Sequence, residues 1–280
     1  MTTIKKGTLA IFYGWPSTVQ ATYTVQGAIT VFKKYEVVVL GSGLEEPSHA
    51  DHANTVQIIA GIPSTKVFGY IPSTIGLDLI KEKIDKWSTM GIAGVFADVF
   101  GFDFDVSRSK QNEIVDYIHD KGLSAFVNCW NSDDAFAPTE SGLITHLGPK
   151  DFILAESFQI INDNYQSTEE WLTRSKKLVS YRKATGTKIA AITTTVSGSF
   201  DQEKFDYAYY SSLLFNFDLF GWGEANFSAS SGELPFRKRK HVSGDKIISD
   251  INIEDGIVSV KTNVGIAINT VLRKASTEVE

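Results

Sequence analysis

Eight short apolar runs recur along the chain, and stretches with helical periodicity separate most of them. The runs are LAIFYG (9–14), EVVVLG (36–41), KVFGYI (66–71), GVFADVF (94–100), LSAFVNCW (123–130), DFILAES (151–157), KIAAITTTV (188–196) and LFGWGEANF (219–227). Most are continuously apolar and rich in β-branched or aromatic residues, the pattern of parallel strands covered on both faces. Between them, residues 76–90 set Leu77, Ile80, Ile84 and Trp87 on one stripe, with Asp78, Lys81, Glu82 and Asp85 facing away. Residues 112–121 repeat this with Ile114, Val115 and Ile118 inward, and Gly122 stands where a C-cap belongs. Residues 167–170 open another helix with a capping-box-like start, and Gly186 closes it. Residues 201–216 are helical and aromatic-rich. Repeated βα units of this length predict a parallel sheet with right-handed crossovers. Eight of them fit an α/β fold of the (β/α)8, or TIM-barrel, type better than an open sheet. No GxGxxG or P-loop pattern follows any run, which lowers the nucleotide-binding alternative.

A chain of 280 residues suffices for one barrel-sized core, and residues 1–227 are assigned to it. Beyond Phe227 the pattern changes. Residues 228–232 are small and polar, and 236–240 (FRKRK) form a basic run that reads as a solvated loop. IISDINIEDGIVSVKTN then alternates around Asp255-Gly256, the mark of a tight hairpin. Residues 264–272 suit either a further strand or a closing helix. Residues 228–280 are therefore expected to form a β-rich extension that packs on the barrel or serves an assembly partner. A net charge of −6 argues against nucleic acid as a partner. Cys129 is the only cysteine, so no intrachain disulfide forms, and its apolar run marks it as an inert core residue. No run reaches the roughly 18 apolar residues of a membrane span, so no membrane partner is expected. The opening MTTIKKGTLAIF lacks a signal-peptide apolar region. Localisation stays open, and an extracellular or virion-associated setting would require a non-classical route.

Two of the runs carry a carboxylate near the C-terminal end: Asp98 in GVFADVF and Glu156 in DFILAESF. A charge there is expensive to bury unless it is paired or used. In a barrel the C-terminal strand ends form one rim, and chemistry sits there. Read in order, that rim holds Tyr13 and Trp15, residues 41–46, Tyr70 and Ser73, Asp98 and Asp103, Asn128 and Trp130, Glu156, Thr194 and Thr195, then Trp222 and Glu224. Sugars present apolar ring faces and dense hydroxyls, which suit such aromatics, amides and carboxylates. Asp98 and Glu156 are the expected catalytic pair for glycoside hydrolysis, one as acid, the other as nucleophile, base or charge stabiliser. Glu224 is the reserve. Tyr13, Trp15, Tyr70, Asp103, Asn128, Trp130, Trp222 and Glu224 are expected to bind substrate. Bland readings stand beside these. Either carboxylate alone fits a structural ion pair, Asp103 and Asp105 fit a loop or helix start, and Trp130 and Trp222 suit packing equally well. His49 and His52 in SHADHAN are close enough to suggest a metal pair, but no strand end supplies a third ligand, and a helix face explains them better. No metal and no cofactor is expected. Ser-His-Asp chemistry lacks its GxSxG elbow.

Residues 66–100, KVFGYIPSTIGLDLIKEKIDKWSTMGIAGVFADVF, resemble the spherulin-4-like family of glycoside hydrolases. Gly69, Tyr70, Ile71 and Thr74 follow that family's Gly-Tyr-Val/Ile-x-Thr segment. Ile84 and Trp87 follow its helical stripe, and Gly91, Gly94, Val95, Phe96 and Asp98 its Gly-x-x-Gly-Ile-Phe-Phe-Asp-Glu. FVNCWN is similar to its strand ending in Asn, placing Asn128, and ILAESFQ to its Val-x-Phe-Glu strand, placing Glu156. FYGWPS is similar to its Tyr-x-Tyr-Pro opening. The resemblance spans roughly 9–227. With the related endo-α-1,4-polygalactosaminidase-like barrels, it implies a (β/α)8 fold and endo-cleavage of galactosamine- or N-acetylgalactosamine-containing polysaccharide, with catalysis on Asp98 and Glu156. One departure matters: the spherulin-4 pattern has Glu after the strand Asp, and this chain has Val99. The alternative is a catalytically inactive glycan-binding or structural barrel within a larger assembly, such as a phage tail or secreted machine.

Overall fold

The computed structural model of the protein describes residues 2–3, 6–237, 246–247, 250–261 and 266–277. Strands β1 (Gly7–Phe12), β2 (Val37–Leu40), β3 (Lys66–Pro72), β4 (Gly94–Asp98), β5 (Ser124–Asn128), β6 (Phe152–Ala155), β7 (Lys188–Ile192) and β8 (Leu219–Gly221) close into one barrel. Every neighbouring pair is parallel. Each expected run holds one strand. The two last runs overshoot: β8 stops at Gly221 because the chain turns at Gly223, where a Cβ would sit 2.2 Å from the Thr193 carbonyl oxygen.

Seven α-helices follow the first seven strands: α1 (Val25–Phe32), α2 (His52–Gly61), α3 (Leu77–Ser88), α4 (Arg108–Asp120), α5 (Ser132–Phe136), α6 (Thr168–Thr185) and α7 (Gln202–Leu214). Helix α3 buries Ile80, Ile84 and Trp87, the stripe its periodicity predicts. Helix α4 begins earlier than its apolar pattern, because the Ser107 side chain accepts a hydrogen bond from Lys110 N and caps it. Helix α6 starts at Ser167, which caps Glu170 N, and ends at Gly186 with φ +78°. Among the described residues no α-helix follows β8.

Alternation along the strands builds two cores. One parity points into the barrel: Leu9, Ile11, Val37, Val39, Phe68, Phe96, Phe126, Phe152, Leu154, Ala190, Ile192 and Leu219. The other packs outward against the helices. Phe68, Phe96, Phe126 and Phe152 meet as adjoining rings and fill the lumen below the mouth. Gly94 makes room for this layer, since a Cβ there would meet Phe68 and the Ser124 carbonyl at 2.3 Å.

Gly69 serves the outer core in the same way. A Cβ at Gly69 would lie 2.2 Å from the buried Trp87 ring, whose Nε1 donates to Tyr70 O at 3.1 Å. This contact ties the Gly-Tyr pair of β3 to the tryptophan of α3. Gly69→Ala is expected to cost about 1–3 kcal/mol by overpacking, while Gly76→Ala, where a Cβ meets nothing within 4 Å, should change little. Chemical denaturation of the two variants separates them. Equal midpoints would remove this role from Gly69.

The C-terminal segment forms an antiparallel four-stranded sheet of β9 (Asn252–Glu254), β10 (Ile257–Val260), β11 (Ile266–Asn269) and β12 (Lys274–Thr277). Asp255 and Gly256 join β9 to β10 with φ of +46° and +76°, the left-handed pair that a two-residue hairpin turn requires. Within 264–272 the described residues take the strand alternative, as β11. Val258, Val260, Ile266 and Ile268 are buried in the outer core, and Arg273 Nη1 donates to the Tyr207 hydroxyl of α7 at 3.2 Å. The sheet thus packs against α7. Of the basic run, residues 238–240 lie outside the described residues. Arg237 departs from the solvated-loop expectation: it stacks on Phe200 and pairs with Glu224. No helix among the described residues is long and apolar enough to cross a membrane.

Candidate active site

Five of the expected site residues share one parity. Tyr13, Tyr70, Asp98, Asn128 and Glu156 each stand two positions beyond a lumen-facing residue: Ile11, Phe68, Phe96, Phe126 and Leu154. The pleat therefore carries all five into the mouth, directly above the phenylalanine layer. The Asn128 side-chain amide joins the two carboxylates. Its Nδ2 donates to Asp98 Oδ1 at 2.8 Å and to Glu156 Oε2 at 2.6 Å. Asp98 Oδ1 also accepts from Val99 N at 2.9 Å.

Both carboxylates are followed by left-handed backbone, at Val99 (φ +47°) and Ser157 (φ +54°). A β-branched residue in that region is strained, so the turn after Asp98 is held by its surroundings and not by the preference of Val99. Ser157 and Thr194 exchange a hydrogen bond through their hydroxyls at 2.9 Å. Across the mouth, Asn226, Phe227 and Ser228 take successive left-handed conformations, laying Phe227 against Tyr13 with centroids 5.4 Å apart. Tyr13 meets Tyr70 edge-on at 5.6 Å.

The electrostatics distinguish the partners. Burial pushes the Glu156 carboxyl above its ordinary value. The Asn128 hydrogen bond pulls it down, the nearby Asp98 pushes it up, and Arg174 lowers it. Burial and then the Asp98 charge, to which it is hydrogen-bonded, hold the Tyr70 hydroxyl well above its usual range. Tyr13 is raised by burial and then by Asp98. Both tyrosines are therefore neutral donors at neutral pH.

The shifted Glu156 predicts a pH-dependent stability. An acid whose pKa rises on folding favours the fold in its neutral form. That contribution is whole below the unfolded value of about 4.3, and it is lost as pH rises through the higher native value. Glu156→Gln, which never ionises, should therefore melt with wild type near pH 4 and above it near pH 8. Parallel melting curves at both pH values would remove the shift.

The other expected site residues scatter. Trp15 is 50% exposed and meets His49 edge-on; Trp130 is 52% exposed with the Arg174 guanidinium 4.5 Å from its ring centroid. Asp103 is exposed in a short turn, residues Phe102–Phe104, beyond β4. Trp222 does not reach the mouth. It has the outward parity of Phe220, is only 7% exposed, and packs on Phe200 and Phe205 beneath α7. Glu224 lines a cleft of about 330 Å3 with Glu156, Asn162, Thr194, Thr195 and Asn226. Its Oε1 is already taken by Arg237, whose Nε and Nη2 both lie at 2.8 Å. That pairing sets Glu224 apart from Asp98 and Glu156, which share the Asn128 amide. Arg174 went unnoticed in the sequence, although its Nη1 donates to the Glu156 carbonyl at 2.6 Å. It lies 18 residues beyond Glu156 on α6, and only the α6 docking angle brings it back.

The histidines do not gather. His52 Nδ1 bonds Leu44 O at 2.8 Å at the start of α2, and His49, before the helix, accepts from Asp51 N at 3.1 Å. Among the described residues no three His, Cys, Asp or Glu side chains are placed to share a metal ion. Cys129 is buried, and burial pushes its thiol up to about 12.

No family model matches the chain, and no curated protein matches it. Solved structures do. The carboxyl transferase domain of Rhizobium etli pyruvate carboxylase with pyruvate and biocytin aligns at TM-score 0.52 and 10% identity, over 79% of this chain and 40% of that one. The same domain with 3-bromopyruvate aligns at 0.50 and 9% identity, over 78% and 40%. A type I 3-dehydroquinate dehydratase from Clostridium difficile aligns at 0.48 and 11%, over 80% and 87%. The chain thus spans about two-fifths of the carboxyl transferase structures it matches. At such identities the likeness is one of fold, and the fold is the α/β TIM barrel.

Proposed function

We propose that the protein is a glycoside hydrolase, endo-acting on a galactosamine- or N-acetylgalactosamine-containing polysaccharide. The observation that carries the reading is the single amide nitrogen of Asn128, within 2.8 Å of one carboxylate and 2.6 Å of the other. One NH2 group reaching both keeps those oxygens closer together than the roughly 6.5–9.5 Å of inverting enzymes, which favours a retaining mechanism. Glu156, raised by burial, is the acid: it protonates the glycosidic oxygen as the bond to the sugar carbon breaks. Asp98 attacks that carbon from the other side and forms a glycosyl ester. Glu156, now ionised, takes a proton from water, whose oxygen attacks the same carbon and frees Asp98. Tyr70 steadies Asp98 as the negative charge returns. The spherulin-4-like pattern around Gly69, Asp98, Asn128 and Glu156 supports the choice of substrate.

The test is reducing-end release from a polysaccharide panel that includes galactosaminogalactan, by wild type beside Asp98→Asn and Glu156→Gln. Release by wild type alone supports the reading. No release from any polymer overturns it in favour of a non-catalytic glycan-binding or structural barrel within a larger assembly. Val99 in the place of the family's Glu favours that second reading, as do the exposed Ile253 on the appended sheet and Val271 and Leu272 in its β11–β12 turn.

A further inference from the structure

Beside the mouth, a second pocket of about 270 Å3 opens between the β5–α5 turn and α6. Trp130, Ser132, Gln166, Glu170, Arg174 and Lys177 line most of it. Three features distinguish it from surface relief. Trp130 is half exposed, yet one part of its ring system is engaged by Arg174 at 4.5 Å. Ser132 is 3% exposed, and its Oγ is buried without a hydrogen-bond partner. A buried hydroxyl left unpaired costs free energy, which a partner met by rotation about the Ser132 Cα–Cβ bond would restore. The charges nearby sum to zero: Lys177 pairs with Asp133 at 2.7 Å, and the lining's other two charges, Glu170 and Arg174, are of opposite sign. An indole ring, a free hydroxyl and balanced charge suit a neutral, hydroxyl-rich ring with an apolar face, not an ion.

We propose that this pocket is a glycan subsite that takes a pyranose residue of the polymer on one side of the cleaved bond. The inference rests on the glycosidase reading. Arg174 links the two places, because the same guanidinium packs on Trp130 and donates to the Glu156 carbonyl. A sugar stacked on Trp130 therefore braces the residue that positions the acid. The geometry also gives the substrate a direction across the mouth: from the cleft at Glu156, Thr194 and Asn226, over the carboxylate pair, to Trp130.

Binding of α-1,4-linked galactosamine oligosaccharides of increasing length tests this, by calorimetry on the full chain carrying Asp98→Asn to block turnover. Affinity should step up by about tenfold, equivalent to 1.4 kcal/mol, once the oligosaccharide is long enough to reach the pocket. Adding Trp130→Ala should abolish that step, and Thr173→Trp, which fills the pocket from exposed α6, should do the same. Oligosaccharides that bind with an unchanged step in both variants overturn the subsite and leave the glycosidase reading intact. Oligosaccharides of no length binding to the parent overturn the subsite together with the proposed substrate class.

Discussion

Reducing-end release is expected to fall by about 10²–10⁴-fold in Glu156→Gln, the usual range for removing a general acid. Asp98→Asn should fall by at least a comparable factor, since both the bond-forming oxygen and the charge facing the oxocarbenium-like transition state are lost. The losses should not add. A double variant is expected near the weaker single one, because the proposed mechanism has the two carboxylates act on one transition state. The residual activities should differ in kind. Glu156→Gln should retain more rate on an aryl glycoside, whose leaving group needs no proton, while Asp98→Asn should lose rate on both substrates. Wild-type activity should decline as pH rises through the raised value of Glu156. Removing Asn128 should move that decline to higher pH, because its hydrogen bond lowers the Glu156 pKa. An aryl glycoside cleaved equally poorly by both variants would undo the assignment of Glu156 as acid, though not the pair.

How much of this was legible in the sequence follows from parity and from chain direction. The eight apolar runs are enough for the barrel, because a parallel sheet buried on both faces leaves no other composition for its strands. Asp98, Asn128 and Glu156 were legible as rim residues because each extends an apolar run by one or two positions. Trp222 misled because only its place in a run was considered. Counting by two from Leu219 sends it outward with Phe220, into the packing beneath α7. Glu224 is further from any pattern, since its partner Arg237 lies 13 residues on, in a stretch with no strand or helix periodicity. The pocket at Trp130 was not legible. It exists through the approach of α6 to a one-turn helix, α5, whose five residues carry no periodicity to read.

Strand β6 carries a carboxylate at each end, and the two should behave in opposite ways. Asp151 sits at the N-terminal end, away from the mouth, fully buried. Its Oδ1 accepts from Ala125 N at 2.8 Å and faces His119 Nε2 at 2.9 Å, and its Oδ2 accepts from Gly148 N at 2.8 Å. Asp151→Ala leaves two backbone N–H groups without their acceptor and strips His119 of its partner. Each orphaned buried donor costs about 1–3 kcal/mol, so a loss on the order of 3–5 kcal/mol is expected, a large share of a typical fold's stability. For a chain of this size that lowers Tm by roughly 5–10 °C. Glu156→Gln, at the other end of the same strand, should raise Tm at neutral pH, because an acid buried beside Asp98 destabilises the fold when it ionises. The exposed pair of Asp116 and His146 is the control: Asp116→Ala should leave Tm nearly unchanged, as surface pairs contribute little. Melting curves of the three variants at pH 7 read the contrast directly. Asp151→Ala melting with wild type would mean that the two backbone donors find other acceptors; Glu156→Gln melting below it would mean that the Glu156 carboxylate supports the fold and that its ionisation in the mouth is not destabilising. The sign of the change thus separates the two carboxylates: Asp151 stabilises the barrel, and Glu156, in the mouth, does so only while it holds its proton.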